Sequence, residues 1–227
     1  MEYVEIARTE TEHGELVLRE RRDEAAPSAL ELRANGAFVM DTLEVSSERA
    51  LATAALELVD EPRSVVVAGL GLGFTMHEVL ADSRVEKVAV VEIEQALVDW
   101  MRNGTIPHGP ALLADERVTV VVNDIAVALA EATPASYDLL LLDVDNGPGY
   151  LVHNANAALY EAPSLEAARQ ALCTGGALVV WSGAEAPELE RTMRAVFGNA
   201  EGRPYDVLLQ DRDEQYWLYV ARVTSEA

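Results

Sequence analysis

The chain has 227 residues, half of them hydrophobic, which suits one main domain with a small appendage. Its formal net charge of −22, with Lys87 as the only lysine, argues against nucleic acid or an anionic membrane as a partner and suits solubility or a cationic substrate. No run approaches the roughly 18 uninterrupted apolar residues of a membrane helix. The opening MEYVEIARTETEHGE has no signal-peptide pattern, and Cys173 has no second cysteine to pair with, so a cytoplasmic protein is expected.

In chain order, GELVLRER (Gly14 to Arg21) and ALELRANGAFVMD (Ala29 to Asp41) alternate apolar and polar residues. Asn35-Gly36 inside the second stretch predicts a two-residue hairpin. Ser46-Ser47-Glu48-Arg49 then supplies a cap and an early acid for a helix over Ala50 to Val59. This first part, residues 1–60, reads as an N-terminal β segment with a linking helix.

Past Pro62 the pattern changes. Short, nearly continuous apolar runs occur at Val65–Ala68, Val88–Val91, Val118–Val122, Leu139–Leu142 and Ala177–Trp181. Helical stretches separate or follow them at Phe74–Ala81, Glu94–Met101, Ile125–Ala132, Leu165–Leu172 and Pro187–Phe197. Buried strands alternating with helices predict a parallel sheet covered on both faces. Two last strands, near Tyr205–Gln210 and Tyr216–Arg222, are joined by too short a link for a parallel crossover, so they pair as a hairpin. The expected fold is α/β over residues 61–227. It is a doubly wound, mostly parallel seven-stranded sheet of the class I methyltransferase type, ending in an antiparallel hairpin. Cys173, in the junction ALCTGG, is expected to be a buried structural thiol.

Ligands of such sheets lie beyond the carboxyl ends of the strands, so the residue after each strand is informative. The first strand runs into Gly69-Leu70-Gly71-Leu72-Gly73, a turn on whose backbone a ligand can lie with a helix N-terminus aimed at it. The second ends at Glu92, the third at Asp124, and the fourth at Asp143 and Asp145. A carboxylate at the second tip can accept both ribose hydroxyls, one at the third an adenine amino group, and acids at the fourth suit a sulfonium or ammonium. A nicotinamide dinucleotide fits less well, because Phe74 stands where its fingerprint needs a third glycine and a pyrophosphate would face Asp143 and Asp145. Asp124 also has the position of a plain helix cap, and Asp145 that of a turn residue. The four histidines and the lone cysteine show no metal-ligand spacing, so no metal is expected.

From about Leu30 onward the sequence resembles the spermidine synthase (polyamine aminopropyltransferase) family. The likeness rests on VVVAGLGLGFTMHEVLADSRVEKVAVVEIEQALVDW, DERVTVVVNDIAVAL, YDLLLLDVDNGPG and ALYEAPSLEAARQALCTGGALVVW. It implies a transferase of polyamine biosynthesis, with decarboxylated S-adenosylmethionine or S-adenosylmethionine as the donor. Gly69, Gly71, Gly73, Glu92, Asp124 and Ile125 would bind the donor, and Asp143 and Asp145 would be catalytic. Leu72, Tyr150 and Trp181 would line the substrate, and the protein would assemble as a homodimer. Some positions depart from the family pattern: Leu72 replaces the acid of the glycine loop, Trp181 a glutamine, and SSERALATAA a Tyr-His-Glu run. Three readings follow: an aminopropyltransferase with a diverged polyamine site, a methyltransferase of a small molecule, and a non-catalytic nucleoside-binding homologue. In the last, Tyr150, His153, Asn154 and Asn156 would line a protein interface.

Overall fold

The computed structural model describes residues 1–23, 26–145, 147–149, 151, 154–209 and 212–224. The N-terminal part is an antiparallel sheet of β1 (Glu2–Thr11), β2 (Gly14–Asp23), β3 (Ala26–Ala34) and β4 (Ala37–Asp41), in that spatial order. Strand β1 was not foreseen. It is an edge strand with a mostly exposed, charged sequence, EYVEIARTET, and so has no apolar face to announce it. Asn35, at a φ of 52°, and Gly36 form the tight turn between β3 and β4. The buried face carries Leu16, Leu18 and Leu32. Two buried acids are neutralised within this sheet: Glu31 is bonded by Arg19 and Arg33, and Asp41 by Arg21.

Helix α1 (Ser46–Leu56) begins four residues earlier than expected. Its cap position is Val45, without a side-chain cap, because the Ser46 hydroxyl donates to Glu44 instead. The main domain then alternates β5 (Ser64–Ala68), α2 (Phe74–Ala81), β6 (Lys87–Glu92), α3 (Gln95–Asn103), α4 (Gly109–Leu113), β7 (Val118–Val122) and α5 (Ile125–Ala130). It continues through β8 (Tyr137–Leu142), a 3-10 turn at Asn154–Tyr160, α6 (Ala162–Ala171), β9 (Leu172–Ser182), α7 (Pro187–Phe197), β10 (Glu201–Leu209) and β11 (Arg212–Arg222).

The seven strands lie in the order β10-β11-β9-β8-β5-β6-β7. Strands β5 to β9 pair in parallel, and β11 pairs antiparallel with both β9 and β10. Both faces of the sheet are buried, which is why its strands read as continuous apolar runs. Val65, Val67, Val90, Leu139 and Leu141 pack under α1, α2 and α3, while Val66, Ala68, Val91, Leu140 and Leu142 pack under α5, α6 and α7. Strand order reverses between β5 and β8, so the crevice at the switch lies between the glycine loop after β5 and the acidic loop after β8. Cys173 is half-buried rather than buried, with its thiol on the Ala135 carbonyl at 3.0 Å, because β9 starts at Leu172, five residues before the apolar run. Among the described residues no helix is long and apolar enough to cross a membrane.

Candidate active site

The loop after β5 bends sharply for reasons of packing. At Gly69, with a φ of 94°, a Cβ would lie 2.0 Å from the Asp143 carbonyl oxygen. At Gly71, with a φ of 49°, it would lie 2.7 Å from the sulfur of Met40 on β4. The missing side chains thus let the glycine loop, the acidic loop and the N-terminal sheet close on one another. Together they enclose a cavity of about 450 Å³.

Gly69, Gly71, Glu92, Asp124, Ile125, Asp143, Asp145 and Trp181 all reach its wall. Leu72 and Gly73 do not. Leu72 is fully buried in the core, its N–H 3.1 Å from the Met40 sulfur and its carbonyl accepting from His108 Nε2 at 2.6 Å. The leucine of the loop that faces the cavity is Leu70. Gly73 is backed by Met101 and Leu112 and serves the contact between the loop and α3–α4. Tyr150 and His153 lie outside the described residues.

At one end of the cavity Glu92 is buried, and each of its oxygens accepts a backbone N–H. Oε2 takes Leu70 N and Oε1 takes Glu94 N, both at 2.8 Å. Burial pushes its pKa up, opposed by these bonds. The remaining lone pairs can accept two hydroxyls. Asp124 caps α5 through Oδ1, which accepts Ala126 N at 2.7 Å, and it reaches the cavity as well, so the two sequence readings of this residue coexist. Glu94, which sequence reasoning passed over, is also buried here. It is held by the Thr11 hydroxyl at 3.0 Å and by His13 Nδ1 at 3.2 Å, so the turn between β1 and β2 closes this end. The alternation Glu92-Ile93-Glu94 was the available signal.

The other end lies at the acidic loop. Asp143 is half-buried and accepts the Thr75 hydroxyl at 2.6 Å. Its pKa is pushed up to about 6, by burial first and against the Thr75 bond. Asp145, at a φ of 58°, accepts Asn156 Nδ2 at 2.8 Å. Glu48 of α1 faces this end, and its pKa is pushed up to about 7 by burial and then by the charge of Asp143. Trp181 meets Tyr216 edge to face at 5.0 Å, with its Nε1 buried and unpartnered among the described residues. The Tyr216 hydroxyl is pushed up to about 12 by burial, then by Glu48. Asp41, Glu44 and Glu214 complete a set of nine carboxylates, and among the described residues no lysine, arginine or histidine lines the wall. Glu48 had been legible only as a first-turn acid, and Tyr216 and Glu214 share a face of a strand distant in sequence.

Asp41 is paired with Arg21 and Glu94 lies beside His13, but the remaining carboxylates share a wall with no lysine, arginine or histidine among the described residues, and they ionise together cheaply only around a cationic occupant. Among the described residues no group of three acids, histidines or cysteines is poised for a metal ion. The strand order, with the glycine loop at the switch point, defines a Rossmann-like fold of the class I methyltransferase type.

Within that class the chain belongs to the spermine/spermidine synthase family, whose domain profile matches residues 44–199. It is 35% identical over 120 residues, 52% of its length, to putrescine N-methyltransferase 3 of Nicotiana tabacum, of which that stretch covers 29%. It is 31% identical over 150 residues to polyamine aminopropyltransferase 2 of Pseudomonas aeruginosa, covering 61% of this chain and 40% of that one. The chain thus spans less than half the length of these curated relatives. The fold matches a spermidine synthase solved with the transition-state analogue AdoDATO, at a TM-score of 0.81 and 17% identity over 98% of this chain and 74% of that one. The spermidine synthase of Thermotoga maritima matches at 0.77, again with 17% identity, over 98% and 73% of the two chains.

Proposed function

We propose that the protein transfers an aminopropyl group from decarboxylated S-adenosylmethionine to a small amine. The observation that carries this reading is the cavity wall, with nine carboxylates and no described basic side chain. Both co-substrates are cations, and a low-dielectric acidic wall stabilises them far better than water-exposed acids would. In this reading Glu92 accepts the ribose hydroxyls, Asp124 the adenine amino group, and Ile125 packs on the adenine ring. Gly69 and Gly71 bring the backbone close to the ligand, while Leu72 and Gly73 support the loop from behind. Trp181 and Tyr216 line the acceptor.

The chemistry needs positioning more than a reactive side chain. The acceptor's nitrogen lone pair attacks the carbon beside the sulfonium, a C–N bond forms, and the C–S electrons return to sulfur, releasing methylthioadenosine. Asp145, oriented by Asn156, takes the proton that the new ammonium sheds, while Asp143 stabilises positive charge beside the reacting carbon.

The same proposal divides the chain into an N-terminal segment, 1–60, and a nucleoside-binding domain, 61–227. It sets the protein in the cytoplasm as a homodimer through the N-terminal sheet, supported by Tyr3 and Ile6, which are exposed on the edge strand β1. A second reading, N-methylation of an amine by S-adenosylmethionine, draws support from the relatives named putrescine N-methyltransferases. Calorimetry with methylthioadenosine, decarboxylated S-adenosylmethionine, S-adenosylmethionine and NADH tests the reading. Binding of the first two with the decarboxylated donor preferred, and no binding of NADH, is expected. Preference for S-adenosylmethionine would favour the second reading.

A further inference from the structure

The glycine loop offers no charged side chain to a ligand lying along it. Its residues are Gly69, Leu70, Gly71, Leu72 and Gly73, and Leu72 is fully buried. Beyond the loop the cavity wall continues to Thr75, at the start of α2, and to Asp143, which accepts its hydroxyl. Most acids of the cavity already have partners. Asp41 is bound by Arg21 and by the N–H groups of Leu43 and Glu44, Glu44 by Ser46, and Glu94 by Thr11 and His13. Glu92 and Asp124 are occupied by backbone N–H groups, and Asp145 by Asn156. Glu214 is exposed on β11.

Glu48 is different. Its carboxylate receives the neighbouring Ser47 hydroxyl at 2.8 Å and its own backbone N–H, and it faces the cavity close enough to feel the charge of Asp143. Helix α1 holds it against α2, where Arg49 and Glu78 approach to 3.9 Å. Two carboxylates, Glu48 and Asp143, are thus directed at one volume just beyond the glycine loop, each with a neutral hydroxyl donor and neither with a cation.

We propose that Glu48 holds the terminal ammonium of the donor's aminopropyl arm and thereby rejects a donor that still carries a carboxylate there. The inference rests on reading the cavity as the site of a decarboxylated sulfonium nucleoside. An ammonium between Glu48 and Asp143 restores charge balance and receives two acceptors for its N–H groups. A carboxylate on the same carbon would face both acids at short range in a desolvated space. Glu48 therefore contributes to selectivity between donors as well as to affinity.

The test is calorimetric binding of methylthioadenosine, decarboxylated S-adenosylmethionine and S-adenosylmethionine to the wild type and to Glu48→Gln. Methylthioadenosine has the nucleoside and thioether but no ammonium, so its affinity should be the same in both proteins. The decarboxylated donor should bind the variant about ten- to a hundredfold more weakly, and its advantage over S-adenosylmethionine should shrink by a similar factor. Unchanged affinity for the decarboxylated donor would overturn the proposal. So would an equal loss for methylthioadenosine, which would mark a structural role. Failure of the wild type to bind methylthioadenosine would instead overturn the nucleoside reading itself, and this inference with it.

Discussion

Replacing Asp143 by asparagine keeps the shape of the side chain and an acceptor for the Thr75 hydroxyl while removing a half-buried charge that is poorly solvated. The pKa of Asp143 rises from 3.8 to about 6 on folding, so the folded chain holds this proton more tightly than the unfolded chain does. The ionised carboxylate therefore costs stability. That cost is fully present above about pH 6 and fades as the pH falls toward 4. A shift of about two units corresponds to about 3 kcal/mol, an upper figure because Glu48 titrates nearby. For a chain of this length, that raises the midpoint of thermal unfolding by about 6–12 °C. Melting curves of the ligand-free wild type and Asp143→Asn between pH 4 and pH 8.5 measure it. The variant should be the more stable at pH 8, with the gap closing by about pH 4, while transfer activity falls about a hundredfold or more. Parallel curves, or a less stable variant at pH 8, would refute the argument that this acid is held in an unfavourable desolvated state for the sake of a cationic ligand.

Other consequences follow from the same geometry. Glu92→Gln leaves one of the N–H groups of Leu70 and Glu94 facing an amide NH₂, so nucleoside affinity should drop about ten- to a hundredfold, and unchanged affinity by calorimetry would remove Glu92 from the site. Gly69→Ala sets a Cβ 2.0 Å from the Asp143 carbonyl at a φ of 94°, so denaturant unfolding should show a loss of about 2–4 kcal/mol, and a change below about 0.5 kcal/mol would contradict the packing role of the loop. Arg21→Met leaves Asp41 buried with two backbone N–H bonds but no counter-charge, and a loss of about 2–4 kcal/mol is expected in the same assay.

The sheet was legible because its central strands are buried on both faces, which leaves an apolar run such as Val65–Ala68 or Leu139–Leu142 with no polar alternation, while β7, at the edge of the sheet, is partly exposed. Helices α2 and α7 match their expected limits, since each is bounded by a glycine or proline: Gly73 before α2, Pro187 at the start of α7 and Gly198 after it. The edge strand β1 was hidden by its charges. At the site, acids on strand tips could be read from sequence because position along the chain fixes where a strand ends. Glu48 and Tyr216 could not, because their approach to Asp143 depends on how α1 and β11 pack. Leu72 misled for a related reason. Alternation in the glycine loop says nothing about which leucine faces the ligand, and positive φ values at three of the five loop residues turn Leu70 to the cavity and Leu72 to the core.

The most direct test of the central claim is product analysis by mass spectrometry after incubating the protein with decarboxylated S-adenosylmethionine and a panel of small diamines. The account predicts methylthioadenosine and an aminopropylated amine in equal amounts, and no such products from Asp145→Asn. Methylated amine and S-adenosylhomocysteine formed from S-adenosylmethionine, with no turnover of the decarboxylated donor, would contradict it.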